Sequence, residues 1–315
     1  MDWRPTASRA ALARRAEILA LIREHFAAQG VLEVDTPLLG LAAAGDPALS
    51  SFRVELHGSP RYLQTSPEYA MKRLLAAGSG DVYQICKAFR DEEDGPLHRP
   101  EFTLLEWYRL GFDHHALMDD VAALLARVLP GLALERATFA ALARRCGAPD
   151  PHLARDEELA AWAAALGFRA SAGEATDRLL LLDLLLSEVV RRAWPPGQGG
   201  FVYDFPVGQA AYARIRPGSP PIASRFELIV DGVELANGWH ELGDGAGQRA
   251  RHAAEDAVRR ARGQAPRAPD PRLLAALDHG LPDCAGVALG VDRLVMLATG
   301  ARELGAVLAF GADWT

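Results

Sequence analysis

Hydrophobic positions recur with helical spacing near the start of the chain, across residues 8–29. The apolar side of this segment carries Leu12, Ile18, Ile22 and Phe26. Ser8 can cap the first turn and Gly30 can end the last one. The pattern predicts an amphipathic helix across these residues.

Polar and apolar residues alternate in several short segments that follow. "VLEVDTP" predicts a short strand that ends at Pro37, and "FRVEL" and "RYLQT" predict a hairpin around the turn "HGSP". Two further strands are predicted at roughly 82–90 and 101–110. Strand patterns return late in the chain, in "FVYDFPV", "ASRFELIVDGVELANG" and "GVALG".

Helical patterns separate these groups of strands. "SPEYAMKRLLAAG" predicts a helix with Ser66 as N-cap, Pro67 at the first helical position and Gly78 at its end. Residues of about 114–195 are predicted to be a mostly helical insertion, and "VDRLVMLATG" predicts a last helix after "GVALG".

The order of these elements favours one fold class. Most strands follow one another as hairpins rather than alternating with single helices, which predicts an α+β domain with an antiparallel sheet flanked by helices. No glycine pattern typical of a Rossmann or P-loop phosphate site follows any strand. We expect residues 1–315 to form a single domain.

Composition narrows the class of protein. The chain has 315 residues, of which 50% are hydrophobic and 24% charged, as in soluble globular proteins. It contains no apolar run of about 18 residues and no signal-peptide pattern, so we expect a cytoplasmic protein with no membrane partner. Its formal charge of −7 provides no general basic field for a nucleic acid.

The segment "FRDEEDGPLHRPEFTLLEWY" has a composition that suggests chemistry. Side chains two apart on a strand share a face, so Arg90 and Glu92 point one way. On the return strand one face carries Phe102, Leu104, Glu106 and Tyr108. Together they could hold a phosphate, a flat base and a cation. The alternative is a solvated sheet face with cross-strand ion pairs.

A second candidate site is the segment "RFELIVDGVEL", where Asp231-Gly232 is a strong hairpin turn signal. The regular register pairs Val230 with Val233, Ile229 with Glu234, and Glu227 with Ala236. Glu227 and Glu234 would then be diagonal neighbours on one face, about 7 Å apart. Two such carboxylates suit Mg²⁺. The alternative is that both face water or pair with arginines.

A third candidate is "GVALGVDRLVM", in which a glycine-bounded strand leads into a helix. Gly286 and Gly290 allow close approach of the backbone. Arg293 lies in the first helical turn, where it could reach a ligand at the end of the sheet.

In this order the segments resemble the three signature motifs of class II aminoacyl-tRNA synthetases. "GVLEVDTP" is similar to motif 1, "FRDEE…HRPEF" to motif 2 and "GVALGVDRL" to motif 3. The resemblance implies the fold of that family's catalytic domain, activation of an amino acid with ATP and Mg²⁺, and a homodimer whose interface includes motif 1.

"TSPEYAMKRLL", "EFTLLEWY" and "GVELANGWHEL" are similar to the lysyl branch, and most of all to its paralogues that ligate a lysine-like amino acid to elongation factor P. The motif 1 helix begins about eight residues from the start, which leaves no room for an N-terminal anticodon-binding domain. We therefore expect elongation factor P as acceptor and no stable tRNA binding. The alternatives are a tRNA-lysine ligase without that domain, or a catalytically idle regulatory paralogue.

The resemblance also implies residue roles. It assigns Arg90, Glu234 and Arg293 to catalysis. It assigns the metal ion to Glu227 and Glu234. ATP is assigned to Arg90, Glu92, His98, Arg99, Phe102, Glu234, Leu235, Gly290 and Arg293. The amino acid is assigned to Ser66, Glu68, Glu106, Tyr108, Asn237, Glu241 and Ala288.

Two of these positions depart from the usual lysyl pattern. Ala288 stands where lysyl-tRNA synthetases usually have glycine, and in the ligase family this alanine accompanies a preference for β-lysine, so (R)-β-lysine is the predicted substrate. Arg99 stands where the motif usually has asparagine, "HNPEF", and an arginine there could still contact phosphates.

Overall fold

The computed structural model describes residues 3–91, 93–169 and 177–311. Its helices are α1 (Arg9–Ala28), α2 (Glu68–Ala76), α3 (His114–Val128), α4 (Phe139–Arg145), α5 (Asp156–Ala165), α6 (Arg178–Ala193), α7 (Gly245–Ala261), α8 (Pro271–His279) and α9 (Val291–Thr299). Two 3-10 turns span Val207–Gln209 and Leu304–Ala306.

The strands belong to two sheets. They are β1 (Leu32–Glu33), β2 (Leu39–Gly40), β3 (Arg53–Leu56), β4 (Ser59–Leu63), β5 (Val82–Phe89), β6 (Glu101–Leu110), β7 (Leu134–Thr138), β8 (Gly199–Pro206), β9 (Ile215–Arg216), β10 (Ile222–Val230), β11 (Val233–His240) and β12 (Cys284–Gly290). The large sheet has the order β1-β5-β6-β12-β11-β10-β8-β7, with β9 paired to β10. The small sheet has the order β2-β4-β3.

The large sheet is antiparallel except at its two edges, where β1 runs parallel to β5 and β7 parallel to β8. Helices flank this sheet, so the predicted α+β class is confirmed. The central strands β6, β12 and β11 are neighbours in space although β12 comes late in the chain. This order brings the second and third sequence motifs side by side.

Strand alternation separates the core from the functional face. On β6, Leu105 and Trp107 are fully buried in the main core, together with Ile22 and Phe26 of α1. The intervening residues of β6 point to the opposite face of the sheet. Burial of such large side chains contributes about 1.5–3 kcal/mol each, so the core fixes which face of β6 is free for a ligand.

The segment 114–195 is mostly helical, as predicted, but it also contains strand β7. The polar sequence "LERAT" gives little strand signal, and its pairing with β8 is supplied by the rest of the fold. A second core under α4, α5 and α6 includes Phe139, Leu182 and Phe205. This core attaches the helical segment to β8 and β10.

The helix starts agree with the sequence to within two residues. The Ser8 hydroxyl accepts the Ala11 N–H at 3.1 Å, which caps α1 as predicted. Helix α2 begins at Glu68, with Pro67 rather than Ser66 in the cap position. The Ser66 hydroxyl instead accepts the Glu68 N–H at 3.3 Å, in the turn before the helix.

The register of the β10–β11 hairpin was predicted correctly only next to its turn. Val230 pairs with Val233 and Ile229 with Glu234. The register then shifts between Leu228 and Ile229, and Glu227 pairs with Asn237 instead of Ala236. The extra residue of this bulge lies on β11. Residue patterns carry no clear sign of such a shift, because a bulge displaces the pairing without changing the alternation on the opposite strand.

No helix in the three described ranges has both the length and the apolar character that a membrane crossing requires. The three cysteines, Cys86, Cys146 and Cys284, are free thiols.

Candidate active site

A large cavity of about 1150 Å³ lies on the open face of the central strands. This exceeds the roughly 300–1,000 Å³ of ordinary ligand pockets. Every described residue that the sequence assigned to the site lines it: Ser66, Glu68, Arg90, His98, Arg99, Phe102, Glu106, Tyr108, Glu227, Glu234, Leu235, Asn237, Glu241, Ala288, Gly290 and Arg293. Glu92 lies outside the described residues.

One end of the cavity is built from β6 and the loop before it. The Arg90 guanidinium lies over the Phe102 ring, 5.0 Å from its centroid, and its Nη1 is 3.6 Å from Glu93. The buried Nε of Arg90 has no hydrogen-bond partner among the residues that the structure describes. A flat aromatic surface beside a cation with a free donor suits a base linked to a phosphate.

Arg293 closes this end from the third motif. Its Nη1 donates to the Glu234 carbonyl at 2.7 Å and its Nε to the Leu97 carbonyl at 3.2 Å. Its Nη2 lies 2.8 Å from Nε2 of His98. One guanidinium thereby joins α9, β11 and the loop between β5 and β6.

His98 and Arg99 lie in that loop. Burial and the charge of Arg293 lower the pKa of His98, so a neutral imidazole accepts from Arg293. Arg99 donates to the carbonyls of Gly95 at 2.7 Å and Gly311 at 2.7 Å, and to Asp94 at 2.9 Å. The Arg99 guanidinium therefore holds the loop itself while lining the cavity, and its contact with ATP stays a prediction.

Two carboxylates converge beside this end. Asn237 Nδ2 lies 3.4 Å from Glu227 Oε1 and 3.3 Å from Glu234 Oε1, and Arg225 forms an ion pair with Glu227. Burial raises the pKa of Glu227 to about 8, Arg225 opposes that shift, and the charge of Glu234 adds to it. A divalent cation would relieve this repulsion. The pair therefore fits Mg²⁺, which proteins commonly hold through one or two carboxylates and substrate phosphates.

The opposite end of the cavity is acidic and deeply buried. Glu106 accepts the Tyr108 hydroxyl at 2.7 Å, and Glu241 accepts the Trp239 indole N–H at 2.9 Å. Burial and the charge of Glu68 raise the pKa of Glu106 to about 8. Such carboxylates bind protons or cations readily, because a buried negative charge is unfavourable unless a positive charge lies beside it. The Glu68, Glu106 and Glu241 group suits an ammonium ligand.

Strand β12 forms the floor between the two ends. Ala288 is paired with Asn237 on one side and with Glu106 on the other. Gly286 lies against Tyr108 and Glu241, and a Cβ at this position would stand 2.3 Å from Tyr108 Cε1. Gly290 is the N-cap of α9, and Leu235 lines the cavity from β11.

The similarities to known proteins agree with this geometry. The family model for class II tRNA synthetases (D, K and N) matches residues 1–313. The chain belongs to the class II tRNA synthetase family. This membership confirms the resemblance predicted from the three motifs.

Several curated relatives of this class II synthetase family member carry the name elongation factor P–(R)-β-lysine ligase. The Vibrio cholerae protein is 49% identical over 98% of this chain and 97% of its own length. The Photobacterium profundum protein is 45% identical over 99% and 98% of the two chains, and the Pseudoalteromonas translucida protein is 46% identical over 98% and 97%.

The residue patterns missed two basic residues of this class II site. Arg225 is two residues before Glu227 on β10, so strand alternation alone could have placed its side chain beside that carboxylate. Lys72 bridges Glu68 and Glu241, with Nζ 2.6 Å from an oxygen of each. The composition offered one sign of Lys72, because only two of the chain's 34 basic residues are lysines.

Proposed function

We propose that this protein is an ATP-dependent ligase that adenylates (R)-β-lysine and transfers it to the ε-amine of a lysine on elongation factor P. The observation that carries the proposal is that one cavity joins a cationic, aromatic nucleotide end to a buried three-carboxylate end. The names of relatives 45–49% identical across almost their whole length support the same acceptor and amino acid.

The nucleotide end supplies positioning and charge. Phe102 stacks on the adenine from one side, Arg293 lies on the other, and Glu92 accepts from the adenine amino group. Arg90 leaves its stacked position beside Phe102 to donate to the α-phosphate, and its free Nε is available for that contact. His98 and Arg99 stand near the outer phosphates, while Leu235 and Gly290 border the nucleotide.

Glu227 and Glu234 would hold Mg²⁺ through their carboxylate oxygens. When bound, the ion supplies positive charge to the phosphate oxygens of ATP. Asn237 keeps the two carboxylates together and Arg225 limits their repulsion.

The acidic end binds the amino acid. Ser66 and Glu68 take the amino group near the reacting carboxylate, and Glu106, Tyr108 and Glu241 surround the distal ammonium. Ala288 narrows the floor of the cavity between Asn237 and Glu106, and this narrowing favours β-lysine over α-lysine. Charge-assisted hydrogen bonds to buried carboxylates are about twice as strong as neutral ones.

The reaction then has two steps. A carboxylate oxygen of the amino acid attacks the α-phosphorus of ATP, an acyl-phosphate bond forms, and pyrophosphate leaves. The deprotonated ε-amine of the acceptor lysine next attacks the acyl carbon; an amide forms and AMP leaves. Arg90 and Arg293 stabilise the charge that develops on the phosphate oxygens, and alignment of the reactants supplies much of the remaining acceleration.

We further propose that residues 1–315 act as one catalytic domain, in the cytoplasm, as a homodimer that uses the "GVLEVDTP" segment. Leu32 in that segment is 54% exposed and Leu38 is 37% exposed, so apolar surface is available there for a partner subunit. No stable tRNA binding is expected of this domain.

Acceptor labelling tests the proposed function. Purified protein is incubated with ATP, Mg²⁺ and labelled (R)-β-lysine or α-lysine, with elongation factor P and total tRNA offered together. We expect label on elongation factor P, and more of it with β-lysine. Label on tRNA would replace the proposed acceptor. The absence of both label and amino-acid-dependent ATP–pyrophosphate exchange would identify an idle paralogue.

A further inference from the structure

Lys72 lies behind the acidic end of the cavity rather than in its lining. Its side chain is 2% exposed, and Nζ lies 2.6 Å from Glu68 Oε1 and 2.6 Å from Glu241 Oε2. The third side of the ammonium faces the Tyr212 ring, 5.2 Å from the ring centroid. The three donors of one ammonium are therefore matched by two carboxylates and an aromatic face.

The identity of this residue is notable in a chain that uses arginine almost everywhere. The other lysine, Lys87, is half-exposed on β5 and pairs with Glu101 at 3.1 Å. A guanidinium is a larger planar group with five donors, and the space between Glu68, Glu241 and Tyr212 offers partners for a compact ammonium. These contacts therefore favour lysine over arginine at this position.

Several charged side chains surround the acidic end of the cavity. Burial lowers the pKa of Lys72, but the charges of Glu241 and Glu68 outweigh it and raise that pKa well above its usual range, so Lys72 stays an ammonium. Glu106 adds a third carboxylate from β6. Further along, the charge of Glu255 on α7 is opposed by Arg251 one turn away. When Glu68, Glu106 and Glu241 are all ionised, as they would be around a bound cation, two of their negative charges are not balanced by Lys72.

One of these carboxylates has a buried acceptor atom that still lacks a donor. Glu241 is 1% exposed, and its Oε1 has no hydrogen-bond partner within the described part of the chain. Glu106 receives a hydrogen bond at Oε1 from Tyr108. A buried acceptor without a donor is costly, so the arrangement is complete only when a ligand supplies ammonium groups.

We propose that Lys72 is a positioning residue that sets amino-acid selectivity: by neutralising one of three carboxylates from behind the cavity wall, it matches the site to a substrate with two ammonium groups. The proposal rests on the proposed function and deepens it. Without Lys72 the ionised carboxylates would carry one negative charge more than a substrate with two ammonium groups can balance. Glu241 would also lose one of the two contacts, the other being the Trp239 indole N–H, that orient its free oxygen.

The test is ATP–pyrophosphate exchange with lysine and with norleucine, which has the same amino end but no distal charge. For Lys72→Met we expect the lysine-to-norleucine ratio of kcat/KM to fall at least tenfold, with the KM for ATP within twofold of the parent value. Lys87→Met removes the other lysine as a matched control and should leave the ratio unchanged. An unaltered ratio in Lys72→Met, or a parallel rise in the KM for ATP, overturns the proposal.

A second variant, Lys72→Met with Glu68→Gln, restores the charge count. Both substrates share the amino end, so any direct loss at Glu68 cancels in the ratio, which should recover at least threefold over Lys72→Met. If Lys72→Met fails to fold, the double variant is compared with the parent, and a ratio more than tenfold lower overturns the proposal. Absence of exchange in the parent protein with both α-lysine and (R)-β-lysine would instead overturn the proposed function, and this inference with it.

Discussion

Arg293 Nη2 lies 2.8 Å from His98 Nε2, which links the first turn of α9 to a loop almost two hundred residues earlier in the chain. The same guanidinium donates to the backbone carbonyl of Glu234 at 2.7 Å. The nucleotide end of the cavity therefore depends on one side chain that contacts two other segments. A positive charge held there by backbone carbonyls is preorganised for phosphate.

Arg293→Ala should abolish ATP–pyrophosphate exchange. Removing a preorganised positive charge from beside the negative charge that develops on phosphate lowers the rate on the order of 10²–10³-fold. The loop that carries His98 also loses its contact with Arg293. Arg302→Ala removes an exposed arginine near the end of the same helix and serves as the control. Exchange by Arg293→Ala at the parent rate would contradict the active-site assignment.

Ala288→Gly should shift preference from β-lysine towards α-lysine. Removing one methyl group from the floor between Asn237 and Glu106 enlarges the site, and a difference of this size is worth about 10–200-fold in discrimination. The ratio of kcat/KM for the two amino acids measures the effect, with thermal unfolding as the check on folding. A ratio equal to that of the parent would count against the specificity argument.

Gly286→Ala should raise the KM for the amino acid at least tenfold and leave the KM for ATP nearly unchanged. The new Cβ would stand 2.3 Å from Tyr108 Cε1 and 2.6 Å from Glu241 Oε1, so both side chains must move. Gly243→Ala is the matched control, because the nearest atom to its added Cβ is 3.7 Å away. Equal effects on both KM values would mean that the acidic end is not the amino-acid site.

Asp204→Asn should destabilise the protein in a pH-dependent way. Asp204 lies 3.3 Å from His114 Nε2 and pairs with Arg216. Burial raises the pKa of Asp204, but these two partners outweigh burial and lower that pKa below its usual value. The carboxylate therefore stabilises the fold above its unfolded pKa of about 3.9, and the stabilisation is lost as pH falls through the folded pKa.

Urea unfolding at pH 7 should show a loss of about 1.5–3 kcal/mol for Asp204→Asn, and the loss should shrink as the pH falls below about 4. Asparagine tolerates the positive φ of 62° at this residue, so the backbone is not the cause. Asp231→Asn is the control, since Asp231 also has a positive φ, of 54°, and accepts only the Gly197 N–H among the described contacts. A pH-independent difference would show that the ion pair is not responsible.

The sequence by itself determined several of the longer strands and helices and which faces of β6 carry chemistry. Period-two alternation on β6 sends Leu105 and Trp107 to the core, and this forces Glu106 and Tyr108 to the other face. Capping residues and glycines likewise indicated the ends of α1 and α9, because these signals act between residues close together in the chain. These local signals did not by themselves join the three motifs; the resemblance to class II synthetases implied that they form one site.

Only the tertiary structure decided the features that depend on partners distant in sequence. The pairing of β7 with β8, the shifted register of Glu227 and the anchoring of Arg99 to Gly311 all arise from contacts across the fold. The position of Lys72 between Glu68 and Glu241 is of the same kind, because 169 residues separate Lys72 from Glu241 along the chain. Packing of the whole domain, which no local pattern encodes, brings that ammonium to its second carboxylate and fixes the charge of the cavity.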